Sequence, residues 1–219
     1  LASTNTAGVT IGSGGTVDVG IATKGFGSVS IASDASITLT GGADAIGYSF
    51  DVVGNVDDGA GAKGGTLVLK GGLSTGTIAG GALIAGIVDG NTNLTTLTIS
   101  GGNANGTTAA GGAVIATIFT GTTSATTYNV LGGDGKVGII GSAGGAGGAI
   151  VTHLQTGATT VTNLNITGGN GAVGLAGAAT GTGGAGGAVG TAGALTFTGL
   201  ITGDVAVTSG TGGNGGAAG

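Results

Sequence analysis

The chain contains no cysteine, proline, methionine or tryptophan, and neither glutamate nor arginine. Without cysteine there is no disulfide framework and no thiolate metal site. Four lysines stand against nine aspartates, for a net charge of −5. That balance lacks the clustered basic side chains of a phosphate-backbone binder, so no nucleic-acid partner is expected. No apolar run reaches the ~18 residues that suggest a transmembrane helix. Aromatic residues are two Tyr and four Phe, whereas 58 of 219 residues are Gly, far above the usual ~7%. A core of large side chains is therefore unavailable, and Val, Ile, Leu and Ala must pack in thin layers. Charged residues make up only 6% and mean hydropathy is +0.54, unlike the polar, highly charged composition of disordered chains.

What is present is a repeated punctuation. Short alternating runs end in Gly-Gly at Ile37–Gly42, Leu67–Gly72, Leu97–Gly102, Tyr128–Gly133 and Leu164–Gly169. The first Gly of each pair falls at 41, 71, 101, 132 and 168. Self-similarity at such a period marks a stacked repeat architecture. A second marker, Gly-Gly-Ala, begins at Gly80, Gly111, Gly147 and Gly186. From its second Gly to the next strand-ending pair the distance is constant: 81 to 101, 112 to 132 and 148 to 168. The remainder of each unit lengthens, from Leu73–Ala79 through Asn103–Ala110 and Asp134–Ala146 to Asn170–Ala185. The constant half reads as two strands joined by a polar turn. The variable half reads as a Gly/Ala loop, with the Gly-Gly pair as a corner of the coil.

Positions two and four before each Gly-Gly are apolar: Leu39 and Ile37, Leu69 and Leu67, Ile99 and Leu97, Val130 and Tyr128, Ile166 and Leu164. Positions one and three before it are mostly polar, which is the period of a strand with one face inward. Glycine density opposes helix. The expected fold is all-β, a parallel β-helix (solenoid) with coils of about 30 residues and Gly-rich loops on one side; an antiparallel sandwich is the alternative. Residues 1–35 are expected to be an N-terminal cap or atypical coils, and residues 36–219 β-helix repeats that continue beyond the C-terminus. The first residue is Leu, which suggests a chain processed from an exported precursor.

Candidate chemistry is sparse. The single histidine, His153, has no Ser and Asp that the sequence places beside it as a triad requires. Asp57-Asp58 is the one adjacent acid pair, and Lys24, Lys63, Lys70 and Lys136 show no partner pattern for polysaccharide cleavage. Asp51, Asn55, Asp57 and Asp58 form a local oxygen-rich cluster before Gly59. A solvated turn is the preferred reading, and a structural calcium ion is the alternative, because hard cations take closely spaced Asp and Asn oxygens. No catalytic residue and no other cofactor is expected. Thr38-Leu39-Thr40 and Thr96-Leu97-Thr98 raise an ice-binding array, but Val68, Lys70, Asn129 and Leu131 break its register.

The Thr/Asn/Gly-rich strands and Gly-Gly ends over residues 8–210 resemble the passenger region of bacterial autotransporter adhesins and the large surface antigens of intracellular bacteria. The Gly-rich stretches Gly141–Gly148 and Gly181–Gly187 also resemble glycine-rich mycobacterial surface proteins. The first resemblance implies a right-handed parallel β-helix, export to the cell surface, and adhesion or a surface layer. The expected function is an extracellular structural or adhesive rod or filament subunit without catalysis. Its expected partners are further copies, joined end to end or by strand exchange, and a host or cell-surface ligand. A polysaccharide-active β-helix enzyme and an ice-binding solenoid are the alternatives.

Overall fold

The computed structural model describes residues 9–11, 16–20, 23–26, 29–40, 48–52, 55–71, 83–88, 90–105, 110–112, 117–137, 143–149, 153–175, 182–189 and 195–215. The residues between them lie outside this description, among them the Gly41-Gly42 pair and the Gly-Gly-Ala beginning at Gly80. Fifteen strands are present among the described residues. They are β1 (Val9–Ile11), β2 (Thr16–Gly20), β3 (Thr23–Phe26), β4 (Val29–Ile31), β5 (Ser36–Thr40), β6 (Tyr48–Val52), β7 (Val56–Asp57), β8 (Gly64–Lys70), β9 (Leu83–Val88), β10 (Thr92–Ser100), β11 (Thr117–Phe119), β12 (Thr123–Leu131), β13 (His153–Thr167), β14 (Leu195–Ile201) and β15 (Val205–Thr208). No helix occurs among the described residues.

All described strands join one sheet, and every pairing among them is parallel. Parallel neighbours cannot be joined by a tight hairpin, so each strand pairs with its counterpart one repeat away. The result is an all-β, parallel-stranded architecture consistent with a parallel β-solenoid.

Three columns of strands run through it. The first takes β1, β4, β7, the starts of β10 and β12, the middle of β13 and the end of β14. The second takes β2, β5, β8, the ends of β10, β12 and β13, and β15. The third takes β3, β6, β9, β11 and the starts of β13 and β14.

Register turns the alternating pattern into stacked core columns. Ile37, Leu67, Leu97, Tyr128 and Leu164 lie in line, each paired with the next, and each is at most 2% exposed. Leu69, Ile99, Val130 and Ile166 form the neighbouring column. Leu94, Ala125 and Val161 line the first strand column and are also buried. All but Ala125 join a single apolar cluster.

The Gly/Ala segments carry an ordered backbone hydrogen-bond pattern of their own. Backbone bonds link each outgoing segment to the next: Gly101 N–H donates to Leu131 O, Gly132 to Thr167 O and Gly168 to Thr208 O. Three residues further along, Ala104 donates to Asp134 O, Gly135 to Asn170 O and Gly171 to Thr211 O. The residues between them bond across to the returning segments. Gly112 donates to Gly102 O, Gly133 to Gly112, Gly148 to Gly133, Gly169 to Gly148, Gly187 to Gly169 and Gly210 to Gly187, all at 2.7–2.9 Å. Again three residues on, a second zigzag runs through Lys136, Gly145, Ala172, Gly184 and Gly213.

This period of three is that of the extended three-fold helix, not of a strand. Two layers of such segments lie back to back, and the facing positions are glycine except at Lys136 and Ala172. A Cβ on Gly133 would overlap the Gly102 carbonyl, and one on Gly169 the Gly133 carbonyl. As in collagen, only glycine fits at so crowded a line. The third position of each triplet faces outward and carries the side chains: Ala146, Ala149, Ala185 and Ala188 on one layer, Asn103, Asp134, Asn170 and Thr211 on the other.

One core column carries a polar defect. Val29 and Val56 are followed in register by Thr92, Thr123 and Thr159. All three threonines are buried, and the hydroxyls of Thr92 and Thr159 have no hydrogen-bond partner. Each orphaned hydroxyl costs ~1–3 kcal/mol. Thr92→Val and Thr159→Val are expected to raise the melting temperature, since valine already occupies this column; a lower melting temperature for both would show that the hydroxyls are satisfied. Gly133→Ala is expected to destabilise by about 3 kcal/mol through backbone overlap. Gly212→Ala is expected to be near neutral, because the nearest atom to its added Cβ lies 3.7 Å away. Equal denaturant midpoints for the two alanine variants would remove the two-layer glycine packing.

Candidate functional site

The sequence cluster Asp51, Asn55, Asp57, Asp58 is split by the fold. Asp51 lies on β6 in the third column, paired with Gly25 and Ile87. Asn55 precedes β7, Asp57 ends it, and Asp58 opens the turn that follows. The Asp-Gly signal there is a true turn: Gly59 and Gly61 adopt φ of 92° and 85°, a region glycine enters without steric cost. Asp58 Oδ1 accepts from the N–H groups of Ala60 (2.9 Å) and Ala62 (2.8 Å), so its carboxylate is used in holding the turn.

The turn folds over the outward face of β7 and is tied to the next coil. Asn93 Nδ2 donates to Gly61 O (3.1 Å), and Thr95 Oγ1 donates to Gly64 O (3.0 Å). Beneath it Asp57 is only 7% exposed. Its Oδ1 accepts from Gly59 N–H at 2.6 Å.

A cleft of about 260 Å³ opens beside this carboxylate, lined by Asn55, Asp57, Gly61, Asn91, Thr92, Asn93, Thr122 and Ser124. Three consecutive coils build it. A side-chain ladder forms one wall: Asn55 Oδ1 accepts from Asn91 N–H (3.0 Å), and Asn91 Oδ1 accepts from both Thr122 N–H (3.0 Å) and Thr122 Oγ1 (2.8 Å). Sequence reasoning found Asn55 and Asp57 but missed Asn91, Asn93, Thr122 and Ser124. The available signal was the recurrence of Asn or Thr just before β7, β10 and β12.

Two further ladders follow the same rule. Asp134 N–H donates to Asn103 Oδ1, Asn170 N–H to Asp134 Oδ1, and Thr211 N–H and Oγ1 to Asn170 Oδ1, at 2.8–3.1 Å. Asn129 Nδ2 donates to Thr98 Oγ1 (3.1 Å), and Asn165 Nδ2 to Asn129 Oδ1 (2.9 Å). The outward column that the sequence offered as a threonine array thus becomes an amide ladder after Thr98.

The remaining ionisable groups are scattered. His153 begins β13, in register with Thr117 and Leu195, and Lys24 lies on β3. Lys63 is exposed, its Nζ donating to Thr126 Oγ1 at 3.1 Å. Lys70 ends β8 half-buried, and Lys136 is exposed on the glycine layer. Among the described residues no three His, Asp or Glu side chains gather as metal ligands, and no helix is long and apolar enough to cross a membrane. No family model, curated protein or solved structure matches the chain.

One titratable group is displaced from its ordinary behaviour. Complete burial pushes the Tyr128 phenol well above its usual value of 10.0. The unfolded chain therefore loses this proton near pH 10 while the folded chain retains it. Stability contributed by the neutral phenol is full below that pH and falls as pH rises toward the folded value. Denaturant melts between pH 9 and pH 11 should show a steeper loss of stability for the natural chain than for Tyr128→Phe. Parallel curves would mean that Tyr128 ionises freely in the fold.

Proposed function

We propose that this chain is an extracellular structural or adhesive rod without catalytic activity. It is a β-solenoid with coils of about 30 residues and its Gly-rich segments on one side, processed from an exported precursor and displayed at the cell surface. The observation that carries this reading is one-dimensional bonding. Each layer pairs with the layer before and the layer after, in its strands and in its glycine segments alike. Repeat stacks of this kind extend along one axis and are held by nearest-neighbour interfaces.

The reading extends to self-association, end to end or by strand exchange. β15 continues the second column, with Val205 and Val207 in register with Leu164 and Ile166. There the core positions are no longer covered: Val205 and Val207 are each 54% exposed. At the opposite end, among the described residues, β1, β2 and β3 each pair with one strand, namely β4, β5 and β6. Open parallel edges of this kind template further pairing, and a head-to-tail contact that does not close generates a filament.

Sedimentation and negative-stain electron microscopy of this chain test the reading. Concentration-dependent species longer than one rod are expected, and Val205→Asp with Val207→Asp should shift them to single rods without changing the circular dichroism spectrum. Isolated single rods at every concentration would overturn self-association, and cleavage of any glycan by the purified chain would overturn the non-catalytic reading.

A further inference from the structure

The cleft beside Asp57 holds a set of unused hydrogen-bonding groups whose identity is dictated by the ladder. Because Asn55 Oδ1 and Asn91 Oδ1 accept from the coil above, both amides turn their Nδ2 groups away from that bond, as donors. Asn93 is oriented the other way. Its Nδ2 donates to Gly61 O, which leaves Oδ1 as an acceptor. Asp57 uses one carboxylate oxygen on Gly59 N–H, and its second oxygen is an acceptor with charge. A carboxylate only 7% exposed is costly to bury unless its oxygens find donors. Ser124, half-buried on β12, both donates and accepts.

This mixture discriminates between ligands. Calcium takes six to eight oxygens and favours several carboxylates. Here there is one carboxylate, and the Oδ1 atoms of Asn55 and Asn91 are already engaged by the ladder. A phosphate or carboxylate ligand would be repelled by Asp57. A neutral polyol matches, because each hydroxyl both donates and accepts: it can donate to Asp57 or Asn93 while accepting from Asn55 or Asn91. The volume of about 260 Å³ exceeds many times the ~30 Å³ share of one water, which leaves room for a sugar ring in place of several waters.

We propose that this cleft is a saccharide subsite, in which Asp57 and Asn93 accept from vicinal hydroxyls and the Nδ2 groups of Asn55 and Asn91 donate to their oxygens. The subsite lies on the side of the stack, away from the chain-end strands, so it does not depend on self-association. Sedimentation reads one property and sugar binding the other, and either can fail alone.

The test is saturation-transfer difference NMR on the full chain. The probes are the methyl glycosides of glucose, galactose, mannose and N-acetylglucosamine, each at tens of millimolar, with calcium chloride as a separate arm. At least one glycoside is expected to receive saturation. Ser124→Leu, which fills the cleft without removing a ladder bond, should abolish the effect. Asp57→Asn should weaken binding by about tenfold or more, as expected for loss of a charged hydrogen bond. Circular dichroism and melting temperature confirm that each variant is folded, and Ser124→Leu serves alone if Asp57→Asn loosens the turn. Absence of transfer to all four glycosides would overturn the proposal. So would binding that survives Ser124→Leu, or calcium perturbing the resonances of Asn55, Asn91 and Asn93 while the sugars do not.

Discussion

Backbone hydrogen bonds between successive layers hold together a chain that has very few large side chains to bury. Each bond requires the two backbones to approach closely, and in the glycine segments that approach leaves no room for a Cβ. The zigzag from Gly102 through Gly112, Gly133, Gly148, Gly169 and Gly187 to Gly210 would be broken by a Cβ at Gly133, Gly148, Gly169, Gly187 or Gly210, where it would overlap a facing backbone carbonyl. The inward valine, leucine and isoleucine columns are the complementary half. They supply apolar burial where strands pair, and the glycine layers supply density where side chains are excluded.

This division explains why the repeat tolerates a growing period. Side-chain bonds between coils span 31, 36 and 41 residues at Asn129–Thr98, Asn165–Asn129 and Thr208–Thr167. The strand register is unaffected, because the added length lies between the strand columns. Polar ladders lock the same register from outside. Asn103, Asp134, Asn170 and Thr211 each hold a neighbour's backbone N–H or offer their own, so a slip by one coil residue would break a side-chain bond as well as a backbone one.

The strand columns were legible because period-two patterning is a local property. Leu97 and Ile99 are marked inward by their spacing from Gly101 alone, and the structure buries both completely. The glycine layers were legible only in outline. Gly144-Gly145-Ala146-Gly147-Gly148-Ala149 and Gly183-Gly184-Ala185-Gly186-Gly187-Ala188 show a period of three, yet a glycine run by itself fits a loop equally well, and its partners lie on other coils. The cleft was half legible. Asn55 and Asp57 are neighbours in sequence, but Asn91, Thr122 and Ser124 arrive from later coils.

What the sequence by itself determined is the alphabet of the strand layers: which residues face inward and where the strands before each Gly-Gly stop. These follow from sterics and burial acting on adjacent residues. Tertiary structure alone decided which layers touch. It placed Asp51 and Asp57 on different columns, oriented the amides of Asn55, Asn91 and Asn93, and left the hydroxyls of Thr92 and Thr159 without partners. Each of those outcomes depends on a contact between residues about thirty or more positions apart, or on a column built from them, and no local pattern carries such a distance.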